Sequence, residues 1–300
     1  MKKIFLILAT AGLCMTGCSN NEEGLPGEGT ASSPTDVIRV TATVNQSVAT
    51  RAGYEAENLN EFALLIQNSA NDAYSYNRKM SKSGDEWLSG DSQQMLWDAA
   101  RTSVTVTAFA PYEATDFDAI LPVSVKSDQS TEDNVKASDF LLTRQTVNPE
   151  SDLVDGKLKV SMNHALSKLI VKFTVNGTES ADVNKVGNLS INGALVDGVC
   201  DLAAVTPEVL PATDAVAATV TPYKGEDAYE CILLPQTIEE GFSMNFSYDG
   251  KLYIWNASQS ITLQKGVEHT LTLNINTTST TLVARMQSRN LSTGHIVEWK

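Results

Sequence analysis

The stretch Phe246-Ser247-Tyr248-Asp249-Gly250-Lys251-Leu252-Tyr253-Ile254-Trp255 decides the fold class. Aromatic and branched side chains dominate both flanks, and these suit a pleated, half-buried surface. Between them stands Asp-Gly, the pair favoured by a two-residue hairpin turn in which both central residues take positive φ. The stretch reads as two antiparallel strands and their turn. Asp155-Gly156, Asn176-Gly177, Asn192-Gly193 and Asp197-Gly198 are weaker instances of the same signal.

Strand patterns recur outward from this hairpin. Ile38, Val40, Ala42 and Val44 alternate with Arg39, Thr41 and Thr43, the pattern of a strand with one buried face. Leu169, Val171, Phe173 and Val175 share one face of 166–175, and Lys168, Lys172 and Thr174 share the other. Further strand runs occupy 62–66, 103–110, 140–143, 157–162, 189–191, 217–221, 229–234, 242–248, 251–255 and 269–275. No segment of useful length has helical periodicity with caps, although 98–101 can form one turn. Short strands at fairly regular spacing predict an all-β chain of antiparallel sandwiches. By position they divide into an N-terminal domain over 37–162 and a C-terminal domain over 163–276, followed by a polar tail at 277–300.

The N-terminus sets the expected compartment. Lys2 and Lys3 precede an apolar run over 4–13, much shorter than the roughly 20 residues of a membrane-spanning helix. Met15-Thr16-Gly17-Cys18 follows. This layout reads as a signal peptide over 1–17, and its end resembles a bacterial lipobox in which Cys18 is acylated, for example by palmitate. Met15 departs from the commoner aliphatic residues at its position. More than one acyl chain makes such an anchor stable. Residues 18–36, rich in Gly, Ser, Asn, Glu and Pro, read as a flexible linker. Glu22-Glu23 resembles a surface-export signal, so the expected location is the cell-surface face of the outer membrane.

Composition excludes several function classes. The formal charge is −14, and loss of Lys2 and Lys3 with the signal makes it −16. No basic patch offsets this, which argues against nucleic-acid binding. Of the four cysteines, Cys14 leaves with the signal and Cys18 carries lipid. Cys200 and Cys231 can form a disulfide in an oxidising compartment or stand as two small buried thiols. His164, His269 and His295 lack metal-ligand spacing. There is no G-x-S-x-G, P-loop or H-E-x-x-H motif. No catalytic residue, metal or cofactor is expected. The pairs Asp85-Glu86, Glu132-Asp133, Glu226-Asp227 and Glu239-Glu240 read as solvated turns. Trp87, Trp97, Trp255 and Trp299 can stack on sugar rings or serve as core and edge residues.

Four ordered pieces carry a family resemblance. They are Ala49-Thr50-Arg51-Ala52 after the first strand; the run 104–112 ending in Pro111-Tyr112; His164-Ala165-Leu166-Ser167-Lys168-Leu169; and Leu233-Leu234-Pro235-Gln236 followed by the Asp249-Gly250 hairpin, Lys265-Gly266 and the strand 270–275. Together with the lipoprotein signal, they resemble the fimbrillin family of pilin-like lipoproteins. The resemblance implies two tandem transthyretin-like β-sandwich domains. It also implies an assembly route in which an arginine-specific surface protease cuts between Arg51 and Ala52. Lipid, linker and the first strand (Ile38, Val40, Ala42, Val44) are then lost together. An extended segment of another fimbrial subunit, identical or related, fills the gap by β-strand addition. Candidate donor residues are Leu282, Ala284, Met286, Ile296, Val297 and Trp299; otherwise this tail is a final edge strand. The alternative function is a monomeric surface lipoprotein that binds a glycan or host protein.

The first strand is worth enough to matter. Ile38, Val40 and Val44 each contribute about 1.5–3 kcal/mol when buried. Their sum, about 5–9 kcal/mol as an upper bound, approaches the whole stability of a domain, typically about 5–15 kcal/mol.

Overall fold

The computed structural model describes residues 36–45, 53–55, 57–177, 179–278, 281–293 and 295–298. The expected signal peptide, Cys18, most of the linker, Arg51, Ala52 and Trp299 lie outside these residues.

The first half contributes β1 (Val40–Val44), β2 (Glu61–Gln67), β3 (Tyr76–Ser83), β4 (Glu86–Ser89), β5 (Val104–Ala110), β6 (Ile120–Ser124), β7 (Leu141–Val147) and β8 (Leu158–His164). All but β6 join one sheet in the order β1-β4-β3-β2-β5-β7-β8, which closes because β1 also pairs in parallel with β8. The second half contributes β9 (Ser167–Val175), β10 (Glu179–Ser180), β11 (Val186–Leu195), β12 (Asp197–Asp201), β13 (Val209–Pro211), β14 (Ala217–Val220), β15 (Tyr223–Lys224), β16 (Tyr229–Leu233), β17 (Gln236–Ile238), β18 (Ser243–Tyr248), β19 (Lys251–Asn256), β20 (Ile261–Leu263), β21 (Val267–Ile275), β22 (Leu282–Asn290) and β23 (Ile296–Glu298). Its main sheets run β15-β16-β9-β21-β22-β23, with β10 on β9, and β14-β11-β18-β19. Smaller sheets are β13-β12-β6 and β17-β20. The fold is all-β, as expected. Its one α-helix among the described residues is α1 (Glu132–Lys136), capped by the Thr131 side chain.

Local chemistry explains the turns. Asp249 (φ 50°) and Gly250 (φ 79°) connect Tyr248 and Lys251, which face each other across β18 and β19. Asp155 (φ 52°) and Gly156 (φ 71°) make the same kind of turn between Val154 and Lys157. Two of the weaker signals do not make hairpin turns. Asn192-Gly193 sits at a register shift inside β11, where a Cβ on Gly193 would stand 2.5 Å from the Gly241 carbonyl oxygen. Asp197-Gly198 begins β12. A bulge and a close backbone approach use glycine as readily as a turn does.

Two apolar cores lie on either side of a shared wall. In β2, Phe62, Leu64 and Ile66 belong to the core inside the closed sheet, whereas Ala63 and Leu65 belong to the core of the second half. β5 divides similarly, with Val106 and Ala108 in the first core and Phe109 in the second. A strand buried on both faces reads as a continuous apolar run rather than an alternating one, which accounts for Phe62-Ala63-Leu64-Leu65-Ile66. β6 lies in the first half of the chain yet pairs along its length with β12.

Candidate functional site

β1 closes the sheet through two unequal seams. It pairs in parallel with β8 from Val40 opposite Leu158 to Val44 opposite Met162. On its other side it meets β4 where Val40 faces Trp87, and Val37 bridges Leu96 just before. The Ile38 N–H donates to the Met95 carbonyl at 2.8 Å, and the Trp97 N–H donates to Asp36 at 2.8 Å. Beside this second seam lies a cleft of about 410 Å³, lined in part by Ile38, Arg39, Met80, Trp87, Met95 and Lys157. Ile38, Val40 and Val44 are buried in the first core, and Ala42 packs against it. The alternation in the sequence therefore places the expected side chains inward.

The C-terminal candidates occupy a sheet. β22 pairs with β21 from Val267 opposite Asn290 to Ile275 opposite Leu282. Leu282, Ala284 and Met286 are half-buried against the second core. β23 brings Ile296 opposite Arg289 and Val297 opposite Ser288, at the sheet edge. His269 pins β22. Its Nε2 accepts the Gln264 N–H at 3.0 Å, so its proton sits on Nδ1 and is donated to Ser288 Oγ at 2.7 Å. Burial depresses the His269 pKa to about 4. A neutral ring donating to the hydroxyl cannot take the serine's proton, so this pair is not a nucleophile and base.

A second histidine ties the first half together. His164 Nδ1 lies 2.9 Å from Asp139 Oδ2, and both side chains are buried. Asp139 also accepts the N–H groups of Tyr54 and Phe140, each at 2.9 Å. Burial pushes the Asp139 pKa up, but the charge and hydrogen bond of His164, with the two N–H groups, outweigh it and hold the carboxyl below its ordinary range. Burial likewise pushes His164 down, and Asp139 outweighs it and raises the imidazole above its ordinary value. Gly53 (φ 110°) leads into Tyr54, and a Cβ there would stand 3.1 Å from Asp139 Oδ2. The sequence hid this pair because 25 residues separate its members.

Cys200 on β12 and Cys231 on β16 are free and buried. They stand on strands of different sheets. Burial raises the Cys200 pKa to about 11 and raises Cys231 further. Among the described residues no group of three or more His, Cys, Asp or Glu could hold a metal ion. Trp97 is buried, Trp87 meets Phe62 edge-on at 4.8 Å, and Trp255 meets Phe242 edge-on at 6.2 Å.

These observations define an all-β protein with two cores, a first strand that closes its own sheet and a last pair of strands at a sheet edge. The chain belongs to the fimbrillin-like family, whose model matches residues 28–288. No curated protein matches it significantly. Among solved structures it is similar to a candidate cell adhesion protein from Bacteroides ovatus, at 16% identity and a TM-score of 0.64, over 88% of this chain and 98% of that one. It is also similar to a candidate cell adhesion protein from Bacteroides uniformis, at 17% identity and a TM-score of 0.62, over 88% and 99%. At such identities the likeness concerns the fold alone.

Proposed function

We propose that this protein is a structural subunit of a cell-surface fimbria that assembles by strand exchange. Family membership supports the fimbrial role and a cell-surface location. The observation that carries the exchange is the place of β1, whose apolar side chains fill the first core between a full ladder with β8 and a short one with β4. In this reading the chain is anchored through Cys18 in the outer membrane until a protease cuts after Arg51. β1 then leaves with the anchor, and the exposed edge of β8 (Leu158–Met162) accepts an extended segment of a neighbouring subunit. The donor is the 282–298 segment. Its apolar residues Leu282, Ala284 and Met286 alternate along one face and are half-buried, the spacing an incoming strand needs, although release must break its nine-residue ladder with β21. The division into domains at 37–162 and 163–276 belongs to the same reading.

Digestion of the mature protein with an arginine-specific protease tests this, read by intact mass and by SDS-resistant laddering. An early cut after Arg51, followed by ladders that vanish when 282–300 is deleted, is the expected result. Cutting there without any oligomer contradicts it. The cleft beside Trp87 favours the second reading, a monomeric lipid-anchored protein that binds a glycan or host protein.

A further inference from the structure

A second cleft, of about 350 Å³, lies between the end of β8, the loop before β13 and the turn before β21. Arg144, His164 and Lys265 line it together with Asn163, Thr206 and Ser292. None of the described residues lining it is Asp or Glu, although the whole chain carries a charge of −14. Arg144 is held in place on β7, because its Nη1 donates to Thr107 Oγ1 at 3.0 Å and to the Leu202 carbonyl at 2.7 Å. Lys265 stands at the exposed rim, paired with Glu208. His164 uses Nδ1 on Asp139, and its opposite ring nitrogen, Nε2, is buried without a hydrogen-bond partner. A buried polar atom left unpaired in a native fold calls for an explanation, such as a bound group. The volume suits a small ligand.

We propose that this cleft binds a carboxylate, with Arg144 and Lys265 supplying positive charge and the imidazolium form of His164, its Nδ1–H held by Asp139, presenting Nε2–H as the buried donor. A planar guanidinium fork matches a carboxylate. The neighbouring amides and hydroxyls of Asn163, Thr206 and Ser292 suit either the hydroxyls of an acidic sugar or the backbone of a peptide C-terminus. Asn290 and Ser292 of the 282–298 segment line the cleft, so the site belongs to the uncut subunit with that segment in place, and its test needs no cut after Arg51.

Calorimetry and the ring resonances of His164 test the proposal on the intact mature chain. The probes are glucuronate against glucose, and N-acetyl-dialanine against its amide. At least one acid binds saturably and shifts His164, while its neutral counterpart does neither. Glucuronate alone identifies an acidic glycan, the peptide acid alone identifies a chain terminus, and both together identify a carboxylate site that accepts either. Lys265→Gln, at the exposed rim where folding is not at stake, weakens binding by about tenfold or more, and Lys251→Gln on β19 leaves it unchanged. Equal binding of acid and neutral probe, no response to either acid, or full affinity in Lys265→Gln overturns the proposal.

Discussion

Val40 stands opposite Leu158 in a parallel ladder, and this pairing joins the first strand of the closed sheet to the last. A parallel pair between such distant segments carries a loop-closure cost that the rest of the sheet must offset. The strand it adds carries its apolar face into a core that the other strands leave open.

Substitutions on the two faces of the segment 38–44, β1 and the two residues before it, should therefore differ. Ile38→Ala removes a buried side chain and costs about 2–5 kcal/mol. Arg39→Ala, on the exposed face, stays within about 0.5 kcal/mol. Urea denaturation of the mature chain measures both.

The two buried histidines should titrate in opposite directions. The His164 pKa is raised, so its contribution to stability is complete below its ordinary pKa and is lost as pH rises through its folded value. The His269 pKa is depressed from 6.5 to about 4, so its contribution is lost as pH falls through that interval. The loss is about 3 kcal/mol over the interval. Proton NMR of the imidazoles gives the two values directly, and urea midpoints against pH give the stability. Asp139, whose pKa is lowered, loses its contribution only below its ordinary value of 3.8.

Ser288→Ala leaves the buried Nδ1–H of His269 without its acceptor. The expected cost is about 1–3 kcal/mol, concentrated at the β21–β22 pairing. Hydrogen exchange should speed up across 282–290 more than across β9. Uniform change over both strands contradicts a pinning role for this contact.

The thiols should be silent in the native state. Burial raises Cys200 to about 11 and Cys231 higher, and thiolate is the reactive form. A thiol reagent should label both in a chain that begins after Cys18 only when the chain is unfolded. A native mass two hydrogens short would instead reveal a disulfide.

Local patterns made part of this legible. The Asp249-Gly250 turn and the inward face of β1 both follow from nearest neighbours. β3 was invisible because only Tyr76 and Met80 of Tyr76–Ser83 are buried, with Asn77, Arg78 and Lys79 between them. β6 and β12 carry Pro122 and Gly198, residues that weaken any strand signal. The closure of β1 on β8 and the Asp139–His164 pair are long-range relationships, for which the sequence offers matching chemistry but no spacing. Burial on both faces leaves a continuous apolar run at 62–66 and a run broken only by Glu230, which pairs with Lys168, at 229–234, and so both read as strands.

The most direct test of the central claim is the assembly state of a chain that starts at Ala52, with and without a synthetic peptide of residues 36–45. The account predicts that the shortened chain forms SDS-resistant ladders on its own. It also predicts that the peptide, by restoring the pairing with Leu158–Met162, stops growth at single subunits. A shortened chain that remains a folded monomer and ignores the peptide would contradict it.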